Sequence, residues 1–414
     1  MHSQNTFARD HSSAARPKVL AISYLFPNAV MPNHGIFVFN RLHALSRYAD
    51  IKVINPIPYS PVHGFLGKYR QYADIPIRTT RGALEIFHPR FFSIPKFFKS
   101  IEMRTYYHAV KGVLAEELKD FDFDLIDLHW TFPDLPTGYQ LAQHYAKPLL
   151  VTLRGMEAFH SQDGDVREST VAKYLPSADR IISLSEELQQ QSLALVSDAS
   201  KHSIIRNGVD TDCFYYISRQ QARASLGISD DERFILMVGA LIRRKGIDLV
   251  IEALAALRRS YPGVKLRVVG SEGHEGNFRS ELNGMINIYG LEDAVIFEGA
   301  VDNDRLNYWY SAADVFCLAS RGEGSPNVLT EALACGCPAV ASDVGSVAEI
   351  MASEQGLGVV VRPEDPKALQ QGLAQVFDMD CDRQRLASTM AKYNWDWCAN
   401  KVNSVYASLL VHPH

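Results

Sequence analysis

Two series of short apolar runs, alternating with helical patterns, constrain the fold of this chain more than any other feature. The first series lies at residues 19–24, 51–54, 125–128, 149–153, 181–184 and 204–205. The second lies at residues 234–238, 266–269, 295–297, 315–318, 339–341 and 359–361. Short runs rich in branched residues that alternate with longer helical patterns indicate parallel strands joined by crossover helices. Because sheets rarely grow to twelve strands, we predict two α/β sheets.

A polar stretch between about residues 213 and 231 separates the two series. A chain of 414 residues suits two domains of ordinary size. We predict a flexible tail over residues 1–16, a first domain over 17–213 and a second over 214–394. Ligands of parallel sheets bind outside the carboxyl ends of the strands, so two such domains that face each other predict a cleft between them.

Charge and cysteine content exclude several classes of protein. A net charge of −5, without a basic stripe on a recognisable nucleic-acid module, argues against a nucleic-acid partner. The six cysteines lack the spacing of a zinc site or the density of a disulfide scaffold, which predicts a reduced, cytoplasmic protein. Cys335 and Cys337 are interpreted as small buried residues. No run of 18 apolar residues occurs, and the N-terminal tail lacks the apolar centre of a signal peptide.

Two glutamates eight residues apart, Glu323 and Glu331, flank a predicted helix start. Ser325 is expected at the N-cap, Pro326 at the first helical position and Gly336 just past the end. A helix N-terminus offers unpaired N–H groups and a positive dipole end, which favour phosphate. The two carboxylates can accept hydrogen bonds from sugar hydroxyls. This segment therefore predicts binding of a sugar attached to a phosphate.

The glutamate spacing, followed by Ala-x-Ala-x-Gly, resembles the signature of retaining glycosyltransferases of family 4. Further motifs occur in matching order over about residues 18–411: Ile205-Arg206-Asn207-Gly208-Val209-Asp210, Val238-Gly239 with Arg243-Arg244-Lys245-Gly246, Trp309-Tyr310-Ser311-Ala312-Ala313-Asp314-Val315, and Val344-Gly345 with Glu349. The resemblance implies an α/β protein of the GT-B fold, in which two Rossmann-like domains with parallel sheets face across a cleft. It also implies that a helix at about residues 395–412 crosses back to the first domain.

The same resemblance implies roles on the donor side. Glu331 would bind the ribose of a nucleotide and Glu323 the transferred sugar, while Lys245 would lie across the diphosphate. The remaining donor-side residues are Gly324 and Ser325 near the sugar, Asn327, Val328 and Leu329 near the phosphates, Gly270 near the base or the phosphates, and Gly35 in a loop that approaches the donor.

The basic turn at residues 243–245 departs from the family pattern, because Ala240 stands where relatives have an arginine. Arg243 or Arg244 could supply the missing positive charge from a different point. The alternative is a solvated basic turn without a ligand.

The first domain departs from the pattern as well, with Arg154 and Glu157 where many relatives have histidine and aspartate. An arginine cannot act as a general base. Arg154 could stabilise developing negative charge or bind an acidic acceptor, and Glu157 could pair with it; a structural ion pair is the alternative. His129, after the strand at 125–128, is expected in the cleft, with a structural role as its alternative.

The resulting hypothesis is a retaining, metal-independent glycosyltransferase that uses a nucleoside-diphosphate sugar, UDP or GDP, and no further cofactor. Its acceptor would be a glycan or a lipid-diphosphate-linked glycan in polysaccharide or cell-envelope assembly, since His34-Gly35-Ile36-Phe37-Val38 resembles a subgroup with that role. The alternatives are a degenerate GT-B protein that serves as an assembly partner, and a GT-B phosphorylase or epimerase. The several Asp-x-Asp pairs are attributed to chance. Gly270, Gly273 and Gly276 do not fit G-x-G-x-x-G, which argues against a nicotinamide enzyme.

Residues 62–112 carry nine lysines and arginines against three acids, interleaved with aromatic residues. Such a stretch predicts peripheral contact with an anionic membrane, here the inner face of the cell membrane, or with a lipid-diphosphate acceptor. Packing of the aromatic rings on the first domain is the alternative.

Overall fold

A computed structural model describes residues 16–60, 70–94, 99–155, 166–272 and 278–411. Strands β1 to β16 are Lys18–Ile22, Asp50–Ile54, Ile57–Tyr59, Arg78–Arg81, Leu84–Phe87, Arg90–Phe92, Leu125–Leu128, Leu149–Leu153, Arg180–Ser183, His202–Ile204, Phe234–Val238, Lys265–Val269, Val295–Gly299, Val315–Leu318, Ala339–Ser342 and Gly358–Val361. Helices α1 to α14 are Ile36–Leu45, Lys99–Glu116, Asp134–Tyr145, Val166–Tyr174, Glu186–Leu193, Arg219–Leu226, Ile247–Leu257, Phe278–Tyr289, Asn303–Ala312, Asn327–Ala334, Val347–Met351, Pro366–Phe377, Arg383–Met390 and Trp395–Val411.

The strands form two large sheets, as the alternating pattern predicts. The first has the order β10-β9-β8-β7-β1-β2-β5-β4 and is parallel except for β4, which runs antiparallel to β5. The second has the order β13-β12-β11-β14-β15-β16 and is parallel throughout. Both faces of each sheet are covered by apolar clusters, so central strands such as β7 and β8 are buried at every residue. The α/β fold with two facing parallel sheets is confirmed.

Residues 57–92 add four strands that the sequence pattern did not predict. Strands β3 and β6 form a small parallel pair, while β4 and β5 extend the first sheet. Phe91 and Tyr106 are buried, and their ring centroids lie 4.9 Å apart. These two aromatic residues therefore belong to the core, as the packing alternative expects; Phe97 and Phe98 lie outside the described residues.

The C-terminal helix α14 covers the first sheet, although it follows the second sheet in sequence. Its residues Val402, Val405, Tyr406 and Leu409 recur at helical spacing and join the apolar cluster that includes α1 and β1. An apolar stripe of this period gives the helix one buried face. We propose that this helix completes the domain formed by residues 17–213 and that residues 214–394 form the other.

Two reciprocal hydrogen bonds connect the halves at one side of the cleft. The N–H of Gly345, after β15, donates to Glu187 at 3.1 Å. The N–H of Glu186, at the start of α5, donates to Glu349 at 2.7 Å. Each half thus supplies one carboxylate and one backbone donor, and Glu349 gains from the positive end of a helix.

Leu409→Ala tests the assignment of α14 to the first domain. Leu409 is 5% exposed, so its truncation leaves a cavity and we expect a loss of about 2–5 kcal/mol of unfolding free energy. Hydrogen exchange should accelerate at β1 and β2 rather than at β11. Ser408→Ala, at an exposed position of the same helix, is the control and should change stability by less than about 0.5 kcal/mol. Faster exchange confined to β11 and its neighbours would contradict the assignment.

Candidate active site

Two cavities lie between the carboxyl-terminal ends of the sheets, and both include Asn327, the first residue of α10. The central cavity has a volume of about 510 Å³ and is lined from one half by Phe37, Trp130, Arg154 and Asn207 and from the other by Arg244, Lys245, Glu323, Gly324, Ser325 and Val328. The lateral cavity has a volume of about 240 Å³, and its polar lining is Asn40, Arg81, Asp210, Asn303, Thr330 and Glu331. Each of the two predicted acids therefore lies in a different compartment.

Glu323 is an ionised carboxylate held by cations in the central cavity. Its Oε1 accepts from Lys245 Nζ at 2.5 Å and from Ser320 Oγ at 2.7 Å. Arg244 Nη1 lies 3.3 Å from the other oxygen. Burial opposes ionisation, but Lys245 and Arg244 outweigh it, so the pKa of Glu323 is below its ordinary value.

Glu331 has a different environment in the lateral cavity. Burial raises its pKa to about 7; the Tyr310 hydroxyl, which donates to Oε2 at 2.9 Å, opposes the rise and Asp210 adds to it. With a pKa of about 7, the carboxyl group of Glu331 titrates near neutral pH. Its charge therefore responds to any ligand that donates hydrogen bonds.

The start of α10 differs from the prediction. The N-cap is Pro326 rather than Ser325, and no side chain caps the helix, because proline has no polar side-chain atom. Asn327 and Val328 then face the central cavity with the positive end of the helix. The side chain of Leu329 is buried in the core, and its N–H donates to the Pro326 carbonyl at 3.1 Å. This leaves the first two residues of the helix as the available amide positions.

The three cations of the basic turn, Arg243, Arg244 and Lys245, lie in different surroundings. Residues Arg243–Lys245 form a 3-10 turn that ends at Gly246, whose φ of 67° and close approach to the Ala319 carbonyl exclude a side chain. Lys245 and Arg244 line the central cavity. Arg243 lies outside both cavities, since its Nη2 donates to Glu281 at 2.6 Å. Of the two arginines proposed to replace the charge missing at Ala240, Arg244 has the suitable position.

Gly35 and Gly270 approach protein backbone closely, and neither lines the central or the lateral cavity. A Cβ at Gly35, where φ is 68°, would lie 2.6 Å from the Leu25 carbonyl oxygen. One at Gly270 would lie 1.9 Å from the Gly239 carbonyl oxygen. The predicted contacts of these glycines with a donor stay predictions.

A third close approach joins the two halves at the central cavity. A Cβ at Gly324 would lie 2.1 Å from the carbonyl oxygen of Arg154. On the other side, a Cβ at Gly345 would lie 2.3 Å from the Glu323 carbonyl oxygen. The loop that carries Glu323 is therefore in contact with both walls of the cleft.

Arg154 lines the first-domain wall of the central cavity, whereas His129, expected in the cleft, is fully buried behind Arg154 and does not line that cavity. The Nη2 of Arg154 is 2.8 Å from His129 Nδ1, and its Nη1 donates to Asn207 Oδ1 at 3.3 Å. Its guanidinium carbon is 5.1 Å from the centre of the Phe37 ring. Burial holds the pKa of Arg154 well below its ordinary value and also lowers that of His129. Glu157, the predicted partner of Arg154, lies outside the described residues.

Sequence reasoning gave no site role to four polar residues: Asn207, which lines the central cavity, and Arg41, Asp127 and Tyr406, which lie behind its wall. All four are buried. Asp127 was detectable as an acid inside the apolar strand β7, because a buried carboxylate requires partners. Its partners could not be read from the chain, since Tyr406 is 279 residues away.

Comparison with known proteins agrees with this arrangement. The profile for "Glycosyl transferases group 1" matches residues 218–393, and that for "Glycosyltransferase Family 4" matches residues 75–213. Together the two matches show that the chain belongs to the family 4 glycosyltransferases. TuaC of Bacillus subtilis strain 168, named for teichuronic acid biosynthesis, is 26% identical over 368 residues, or 86% of this chain and 88% of TuaC.

Solved structures of other proteins share the fold of this glycosyltransferase. Sucrose-phosphate synthase from Thermosynechococcus elongatus superposes with a TM-score of 0.76 at 24% identity, covering 96% of this chain and 100% of that one. HepE from Anabaena, in complex with UDP, superposes with a TM-score of 0.71 at 17% identity, covering 95% and 100%. At these identities the likeness supports the GT-B fold.

Cysteines and metal ligands complete the site survey. The six cysteines are free, and Cys335 and Cys337 are both buried, as interpreted from sequence. Within the part of the chain that the structure describes, no three of the His, Cys, Asp and Glu side chains are placed to hold a metal ion. Independence from metal stays a prediction.

Gly324→Ala tests the contact between the halves. The added methyl group would overlap the Arg154 carbonyl, so we expect the closed arrangement to lose about 1–3 kcal/mol and the cleft to open. A larger radius of gyration by small-angle X-ray scattering and a lower melting temperature would show this. Gly322→Ala is the matched control, because a Cβ there meets nothing within 4 Å. Equal behaviour of the two variants would refute the contact.

Proposed function

We propose that the enzyme transfers a sugar, with retention of anomeric configuration, from a nucleoside-diphosphate sugar to a glycan or lipid-diphosphate-linked acceptor. The observation that carries this proposal is the pair of cavities that meet at the start of α10, with Glu323 in one and Glu331 in the other. A nucleotide sugar has the matching sequence of parts: nucleoside, diphosphate and sugar.

In this proposal the diphosphate lies at Asn327 and Val328, where the helix dipole favours an anion, with Lys245 and Arg244 beside it. The sugar occupies the central cavity and contacts Glu323. The ribose extends to Glu331 in the lateral cavity. The complex of HepE with UDP supports a uridine donor, and GDP sugars remain in the proposal.

The chemical step requires stabilisation of the leaving diphosphate. The acceptor oxygen attacks the anomeric carbon from the face that the diphosphate leaves, the bond from that carbon to the phosphate oxygen breaks, and the acceptor proton passes to the departing phosphate. Lys245, Arg244 and the start of α10 stabilise the phosphate charge from one wall, and Arg154 does so from the other. Positioning and fixed charge then supply most of the catalysis.

The name of TuaC supports a place in cell-envelope polysaccharide assembly. The alternative of a degenerate GT-B protein that serves as a scaffold rests on Ala240 and Arg154, which depart from the family pattern. Arg244 and Arg154 both line the central cavity, which favours an active enzyme. Phosphorylase and epimerase activities remain the second alternative, and they differ from transfer in their products.

Peripheral contact with an anionic membrane stays part of the proposal. Its basis is the basic residues of 62–112, because Phe91 and Tyr106 are used by the core. Among the described residues, no helix is long and apolar enough to cross a bilayer.

A donor panel of UDP, GDP and ADP sugars tests the function. We expect one base to give a ligand-induced thermal shift, and nucleotide release only when an acceptor glycan is present. Proton NMR of the product should show the anomeric configuration of the donor, and activity should persist in EDTA. Glu323→Gln should retain nucleotide binding and lose about 10²-fold or more in kcat, because its contact lies at the reacting sugar. Absence of any donor binding would favour the scaffold; an inverted product would refute retention.

The affinity for the donor should depend on pH through Glu331. Ribose hydroxyls donate to the ionised carboxylate, so binding must remove its proton wherever the pH is below about 7. We expect Kd for the nucleotide sugar to be about tenfold higher at pH 6 than at pH 8, since one pKa unit corresponds to about 1.4 kcal/mol. Isothermal titration calorimetry measures this. Glu331→Gln should bind more weakly and without the pH step; an unchanged pH step in that variant would exclude Glu331 as its source.

A further inference from the structure

We propose that Asp127 and Tyr406 are positioning residues that set the tautomer of His129 and thereby hold Arg154 at the wall of the central cavity. The proposal deepens the proposed function, since its catalytic consequence depends on transfer. The part of the proposal that concerns structure, the tautomer of His129, can be measured without an activity assay.

The contacts form a continuous chain. Tyr406 Oη donates to Asp127 Oδ2 at 2.6 Å. The same carboxylate oxygen lies 3.2 Å from His129 Nε2, within ion-pair distance, although the ring N–H is not aligned for a hydrogen bond. On the other side of the ring, His129 Nδ1 lies 2.8 Å from Arg154 Nη2.

The chemistry of these groups permits one arrangement of protons. A guanidinium only donates hydrogen bonds, so His129 Nδ1 must carry the lone pair that accepts. The proton of the neutral ring is then on Nε2 and faces the Asp127 carboxylate, whose negative charge attracts it. The Tyr406 hydroxyl donates to that carboxylate as well. Arg154 is thereby oriented by a histidine whose tautomer is determined on its opposite side.

Burial and charge favour the same arrangement. Tyr406, Asp127 and His129 are each 0% exposed, and the charged groups that face His129 are Asp127, Arg154 and Arg41. Burial opposes ionisation of Asp127, but His129, Tyr406 and Arg41 outweigh it and keep its pKa below the ordinary value. Protonation of His129 would place a second N–H donor against Arg154, and burial together with the two arginines opposes that state.

The chain of contacts continues from Arg154 to the opposite wall. Arg154 donates to Asn207 Oδ1 at 3.3 Å, and Asn207 Nδ2 donates to Asn327 Oδ1 at 3.1 Å. Asn327 begins α10, the helix assigned to the diphosphate. Tyr406 of α14 is therefore linked through four side chains to Asn327 at the donor site of the second half.

Asp127→Asn is the decisive variant because it keeps shape and removes the charge. The new amide can donate to His129 Nε2, and the ring proton then moves to Nδ1. There the N–H points at the Arg154 guanidinium, which is also a donor. Loss of a residue that orients a neighbouring functional group commonly lowers activity by about 10–100-fold, and we expect that range in kcat with little change in donor Kd.

The tautomer is measured directly by ¹⁵N NMR of the full-length protein, with the His129 signal assigned from its loss in His129→Gln. The wild type should show the Nε2–H form and Asp127→Asn the Nδ1–H form. Tyr406→Phe should lower kcat less than Asp127→Asn does, and His129 should keep its Nε2–H form. The matched control is Tyr145→Phe on α3, where the ring packs on Phe123 outside the chain of contacts, and it should leave kcat unchanged.

An Nδ1–H form of His129 in the wild type would overturn the proposal. An Asp127→Asn variant with unchanged tautomer and unchanged kcat would overturn it as well. If Asp127→Asn fails to fold, the wild-type tautomer and the comparison of kcat between Tyr406→Phe and Tyr145→Phe decide whether the proposal holds. If the wild type shows no transfer, the proposed function fails, and the NMR result still decides how Arg154 is held.

Discussion

The site depends on a backbone contact between Gly324 and Arg154, so close that a side chain on Gly324 would overlap the arginine carbonyl. This contact brings the loop with Glu323 against the wall with His129 and Arg154. Gly345 supports the same loop from behind, and its N–H is bound by Glu187 of the first half. Packed loops of this kind have few intermediate positions, so closure of the two halves and the geometry of the central cavity are coupled.

Positive charge exceeds negative charge on both walls of that cavity. Lys245 and Arg244 share one carboxylate, Glu323, on the second half. Arg41 and Arg154 are buried near one carboxylate, Asp127, on the first. Arg41 and Arg154 are buried without equal countercharge, which is costly in the free protein, and an anion between the walls removes part of that cost. A diphosphate is such an anion, and its charge increases as it leaves the sugar.

The sequence predicted most of the two large sheets because buried parallel strands are continuous apolar runs, as in β8 and β11. It missed β3 to β6 because these short strands contain polar residues or proline and form no continuous apolar run, as in the Arg-Thr-Thr-Arg of β4. Ser325 was chosen as the N-cap on side-chain preference, whereas the backbone places Pro326 there. Local patterns could identify Glu323, Glu331 and Lys245 as candidates, but the contacts of Arg154 join strands and a helix distant in sequence.

Two of the departures from the family pattern, Ala240 and Arg154, concern the positive charge of the central cavity. Relatives carry an arginine at the position of Ala240, which would place a cation after β11. Here Arg244 lies at the other end of the same turn and reaches both Glu323 and the Gly322 carbonyl, the latter at 3.0 Å. Arg154 adds a second cation from the facing wall. An arginine needs more acceptors than a histidine at that depth, and His129 and Asn207 provide them. In the proposed function, Arg244 thus supplies the charge missing at Ala240, and Arg154, held through His129 by Asp127 and Tyr406, adds a further one.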